Sequence, residues 1–185
     1  MRISKLIAVA AVLGSVLVGN SAAFAAAAPA APSGGTTKIY AVLPGNGTTG
    51  PILFIGAVAD FGKYMSVDKN GKLDPNGNYV KMVLQKGTFE VNSTALNAKA
   101  SSDKPAFFDQ ATCSAVISVS DPVTLLAGTR SYAGITGTIN VSETYAFILP
   151  RYTSGADKGQ CNLSNSAQTT ADYGTITGSG TVHFS

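Results

Sequence analysis

The 185-residue chain carries 13 Lys and Arg against 10 Asp and Glu, and removal of a leader holding Arg2 and Lys5 leaves 11 against 10. A net charge of about +1, with no Lys/Arg cluster and no Trp, speaks against nucleic acid or an anionic membrane surface as a partner. Low charge with abundant Thr, Ser, Gly, Asn and Val suits an extracellular β domain, and roughly 150 to 160 residues suffice for one well-buried core.

The leader occupies residues 1–25. MRISK is basic, LIAVAAVLGSVLVG is apolar, and small residues surround Phe24, so the pattern predicts a secretory signal with cleavage near Ala25. Its apolar core is too short for a membrane span, no second apolar stretch of about 18 residues follows, and no Cys stands ready for a lipid. The mature protein is therefore expected to be exported and soluble. Residues 26–36, rich in Ala, Pro and Gly, read as a flexible tether, leaving 37–185 as a single folded domain.

A short strand is predicted at 38–43, ended by the turn chemistry of PGNGTTGP. Residues 51–60 are apolar at both parities, as expected of a strand covered on both faces or turned to a lipophilic interior. The run DKNGKLDPNGN at 68–78 has oxygen ligands suited to calcium, but Gly71 and Tyr79 stand at the fourth and twelfth positions, where an EF-hand needs Gly at the sixth and Glu at the twelfth. Asn-Gly and Asp-Pro dipeptides favour a hairpin or loop there. Residues 79–92 alternate as one strand bent at Gly87 or as two strands in a hairpin. Ser93 is positioned to cap one or two helical turns over 93–100, and the polar stretch 97–110 reads as a loop.

Cys113 begins a strand over 113–119, which Pro122 is expected to break. Cys113 and Cys161 are the only cysteines. In an oxidising compartment they are expected to form a disulfide, adding ~4 kcal/mol by restricting the unfolded chain. With the single His183 they cannot complete a four-ligand zinc site, so neither a metal nor a cofactor is expected. His183 itself reads as an exposed strand residue. Four Asn-x-Ser/Thr sequons, at Asn46, Asn92, Asn140 and Asn162, matter only in a glycosylating host.

The richest text is 125–145, LLAGTRSYAGITGTINVSETY, where Gly128, Gly134 and Gly137 suggest a tight turn and a bulge feeding a long strand. Ile139, Val141, Glu143, Tyr145, Phe147 and Leu149 fall on one face of that strand, opposite Asn140, Ser142 and Thr144. The Gly-rich final strand, 173–184, can pair back to the first, so seven or eight strands predict an all-β antiparallel barrel of about eight strands, with a β-sandwich as the alternative.

Gly128, Thr129, Tyr132, Gly134 and Gly137, in the pattern Gly-Thr-x-x-Tyr-x-Gly-x-x-Gly, resemble the small secreted barrels of the allene oxide cyclase and dirigent type. Arg130 departs from the second Gly usual there. The likeness covers about twenty residues, with looser agreement in strand pattern across the domain. It implies an eight-stranded barrel with an apolar central cavity and transfers no catalytic residue.

Glu143 is the first candidate site residue, because a carboxylate facing a barrel interior can bind a polar group or exchange a proton. Since charge is rarely buried unpaired, a bulge that turns Glu143 to solvent is the favoured register. Asp60, Tyr64, Tyr132 and Tyr145 are placed for a cavity rim, against the plainer reading of tyrosine rings in the core with wet hydroxyls. Three functions follow: an exported non-enzymatic barrel binding a small apolar ligand, a cyclase- or dirigent-like enzyme guided by Glu143 and a Tyr, and a surface or matrix protein without a cavity. Oligomeric state is left open.

Overall fold

The structure, a computed structural model, describes residues 33–43, 48–102, 105–126, 128–164 and 166–185. The leader, most of the tether and Asn46 lie outside these. The strands are β1 (Gly34–Leu43), β2 (Thr49–Gly56), β3 (Asp60–Val67), β4 (Tyr79–Leu84), β5 (Gly87–Asn92), β6 (Phe107–Asp109), β7 (Ser114–Leu126), β8 (Thr136–Ile148) and β9 (Ala171–His183), with one helix, α1 (Thr94–Ser102), between β5 and β6.

All pairings are antiparallel. Neighbours run in chain order from β1 to β5, then β7, β8 and β9, and β9 returns to β1, so eight strands close a barrel and β6 lies outside it against the start of β7. Closure leaves the barrel strands no free sheet edge, except where pairing is short. β1 already includes Gly34 and Gly35, which composition assigned to the tether. Ile39, Ile52, Phe54, Met82, Phe89, Val119, Ile139, Val141 and Val182 fill the interior, and Leu96 of α1 joins them.

One seam is incomplete. β5 is six residues long and pairs only with Thr124, Leu125 and part of β7's end at Leu126. The β7 edge below that point is covered by α1, whose Lys99 Nζ donates to the Ser120 carbonyl at 2.8 Å. This seam explains why Pro122 does not end the strand. Ser120 turns its carbonyl to the open edge, and Pro122 has the same parity, so the missing N–H removes no ladder bond while β7 runs on against Asn140 of β8.

Other expectations are corrected. Residues 79–92 form the β4–β5 hairpin, with Leu84 opposite Gly87. The helix extends to Ser102 through the segment read as loop. Ser93 does not cap it: its Oγ donates to the Asn78 carbonyl, while Asn92 Oδ1 accepts from the Thr94 N–H. β2 is covered on one face only, because Leu53 and Ile55 are each 45% exposed and stand beside Tyr40 and Phe61 on the outer surface. The 68–78 loop is held by turns, Asp68 Oδ1 accepting from the Asn70 and Lys72 N–H groups and Asp74 Oδ1 from Asn76. The Cys113–Cys161 disulfide forms, tying the start of β7 to the connection before β9 across 48 residues.

Candidate functional site

In an antiparallel barrel, the end where β3 begins is opposite the end where β3 finishes, and the two ends differ in chemistry. At the first, the 3₁₀ turn Arg130–Tyr132 folds back over the interior. Arg130 takes φ 55 and Gly134 φ 70, so Arg130 adopts the left-handed backbone that glycine provides more cheaply. A Cβ on Gly128 would collide with the Tyr132 and Thr88 carbonyls, which makes that glycine a close-approach requirement. The Thr129 N–H donates to Thr88 O at 2.8 Å, fastening the turn to β5.

Tyr132 is 1% exposed and stacks edge-on to Phe89 with ring centres 5.3 Å apart. Its hydroxyl donates to Asp60 Oδ2 at 2.6 Å. The Lys86 N–H donates to the same oxygen at 2.9 Å, and the Phe61 N–H donates to Oδ1 at 2.8 Å. Burial pushes the Asp60 carboxyl up, but these hydrogen bonds together outweigh it and hold the group below its ordinary value of 3.8. Asp60 and Tyr132 were expected at a cavity rim. They instead form a hydrogen-bonded latch in the core and do not line the cavity described below.

Among the described residues the other end is open. β1 stops at Leu43, β3 passes Ser66, β4 starts near Val80, and α1 crosses beside them. Together with the 75–78 loop they enclose a cavity of about 560 Å³. Such a volume lies within the range of about 300–1,000 Å³ usual for small-molecule sites. The register of β8 is continuous from Thr136 to Ile148 against β9, without a bulge. Glu143 therefore stays on the face of Ile139 and Val141 and lines this cavity, correcting the favoured expectation that it would point to solvent.

Its strand neighbours explain its chemistry. Val119 of β7 and Ile176 of β9 stand directly opposite Glu143, and neither can donate a hydrogen bond. Among the described residues the carboxylate has no hydrogen-bond or ion-pair partner, and burial raises its pKa above the ordinary 4.5. Tyr64, 4% exposed, also lines the cavity and donates its hydroxyl to Val42 O at 3.0 Å. Burial, and then the Glu143 charge, push that hydroxyl up to about 12.

Tyr145 shares the parity of Glu143 but falls outside the cavity wall. Its ring packs on Phe147 at 5.4 Å, and burial followed by the Asp172 carboxylate push its hydroxyl up to about 12. Of the five candidates, Glu143 and Tyr64 reach the cavity, whereas Asp60, Tyr132 and Tyr145 do not line it. No local pattern gives a binding role to Ser66, Asn78, Ser93, Asn97 or Ser101, which with Thr48, Asn76 and Thr94 make up the neutral polar part of the wall. Among the described residues no group of three His, Cys, Asp or Glu is placed to hold a metal.

The chain matches no family model, no curated protein and no solved structure.

Proposed function

We propose that this protein holds one small molecule in the open end of its barrel, the apolar body against Leu43, Val80 and Ile176 and one polar group on Glu143. The observation that carries this reading is a carboxylate without a partner among the described residues, on the wall of a 560 Å³ cavity. With no donor among the described residues, this partly buried carboxylate depends on water in the cavity, and a bound molecule that donates to it would take the place of that water. The disulfide is consistent with an oxidising compartment and hence with the export expected of the leader.

Binding has more support than catalysis. An acid–base pair needs a second group titrating near the working pH, and the titratable side chain beside Glu143 is Tyr64, whose hydroxyl is tied to Val42 and titrates near 12. The cyclase- or dirigent-like alternative therefore rests on the resemblance and on Glu143 alone.

The test is titration of the folded domain with a lipophilic fluorophore. Saturable binding of one equivalent is expected, and Ala98→Trp, placed on the exposed rim of the cavity, should abolish it while the melting temperature holds. Absence of saturable binding, or binding unaffected by Ala98→Trp, overturns the proposal.

A further inference from the structure

We infer that the molecule held in this cavity carries a protonated amine, bound by Glu143. This rests on the reading of the cavity as a small-molecule site and adds the ligand's chemical class. Two observations carry it.

The first is charge. Glu143 is the one charged side chain on the cavity wall among the described residues, and no Lys, Arg or His shares it. The nearest cation of α1, Lys99, is turned away to the Ser120 carbonyl. The second is that the neutral part of the wall does not itself select. Tyr64, Ser93, Asn97 and Ser101 donate within the protein, while Thr48, Ser66, Asn76, Asn78 and Thr94 line the cavity with side-chain donors that no described residue accepts. Neutral donors and acceptors can both be met there, so the charge of Glu143 decides the preference. An acceptor such as a carboxylate would meet repulsion from Glu143. A hydroxyl would recover one neutral hydrogen bond, whereas an ammonium recovers both the hydrogen bond and the charge, and charge-assisted bonds are about twice as strong.

Proton balance adds a dependence on pH. Among the described residues Val119 and Ile176 stand opposite Glu143 and Tyr64 shares its cavity wall, and of these Tyr64 alone titrates, far above neutrality. Amine binding therefore follows the ionisation of Glu143 itself: full above that transition and lost as the carboxyl takes up its proton.

The experiment is calorimetric titration of the folded protein with phenethylamine, phenethyl alcohol and phenylacetate, three molecules with the same aromatic body. The amine is expected to bind about tenfold or more tightly than the alcohol. Phenylacetate should be weakest, and amine affinity should fall as the pH is lowered towards 4. Glu143→Gln should bring amine and alcohol to equal affinity, while Glu90→Gln, which removes an exterior carboxylate beside Lys81, should leave the preference intact. Equal binding of amine and alcohol by the parent, tightest binding of phenylacetate, or an amine preference that survives Glu143→Gln overturns the amine while leaving a small-molecule site. If none of the three binds and the fluorophore also fails, the cavity reading itself falls. If the fluorophore binds and none of the three does, the amine alone is overturned.

Discussion

At the end of the barrel where β3 begins, Asp60 receives three hydrogen bonds from Tyr132, Lys86 and Phe61. At the end where β3 finishes, Glu143 faces Val119 and Ile176 and receives none from the described residues. Burial acts on both carboxyls in the same direction, raising their affinity for protons. Donors decide the outcome, lowering Asp60 below its ordinary value and leaving Glu143 above its own. One end spends its charge on holding itself shut. The other keeps a charge unspent beside a cavity, which is where a binding function has room to reside.

The largest test of this contrast is Tyr132→Ala. Truncating a fully buried aromatic costs about 3–5 kcal/mol, and here it also strips a donor from buried Asp60. Urea denaturation should show that loss, with a melting temperature lower by roughly 10 °C or more. Ser101→Ala on the opposite rim should stay within about 0.5 kcal/mol. Similar costs at both positions would erase the distinction between a sealed end and an open one. Next in size is the double replacement Cys113→Ser with Cys161→Ser. Freeing a loop of 48 residues costs ~4 kcal/mol at most on the chain-entropy view, less whatever the oxidised state stores in strain. Because this bridge lies outside the cavity wall, the fluorophore should still bind the variant at temperatures where it remains folded.

Tyr132→Phe is a finer cut, keeping the ring and deleting the hydroxyl. Losing a hydrogen bond to a charged group costs about 1.5–3 kcal/mol. Asp60, with its folded pKa below 3.8, contributes stability that is present above the unfolded value and disappears as pH falls through the folded one. Without the Tyr132 donor the folded pKa rises, so acid unfolding should begin at a higher pH than in the parent. An unchanged acid limb would mean that the Lys86 and Phe61 N–H groups suffice for Asp60 alone.

How much of this was legible beforehand follows the range of the forces involved. Alternation along 139–149 places Glu143 on the face of Ile139 and Val141, and the lone cysteine pair behind a leader-like N-terminus points to its bridge, because both readings need only local pattern. The preference for a bulge at Glu143 failed because it assumed a buried charge must find a partner, whereas this one borders open space. That β7 runs on through Pro122 depends on a tertiary fact, the shortness of β5, which leaves the β7 edge unpaired at that parity. Asp60 and Tyr132 are 72 residues apart in the chain, and nothing in either local stretch announces that they meet. The polar wall around the cavity escaped notice for the same reason: Ser93 and Asn97 look like ordinary cap and surface residues until α1 is laid across the open end.

The smallest effect is the one that bears most directly on the open end. Glu143→Gln keeps the shape of the side chain and removes its charge, so at neutral pH it relieves the cost of an ionised carboxyl held without donors. Because the folded pKa of Glu143 lies above 4.5, both folded and unfolded chains hold the proton at lower pH and the parent pays no penalty there. As pH rises through the folded value, the unfolded chain has already ionised and the native state loses ground. Glutamine does not titrate, so the variant should melt with the parent near pH 4 and above it at pH 8, by roughly 1 kcal/mol at most. The trend has the opposite sign to that of Asp60, whose contribution fades on the acid side. A variant no more stable than the parent at pH 8 would mean that Glu143 already has a donor and that the two ends are alike. Saturating phenethylamine should then invert the order, since a ligand that binds the native parent more tightly than the native variant stabilises the parent by more, through mass action.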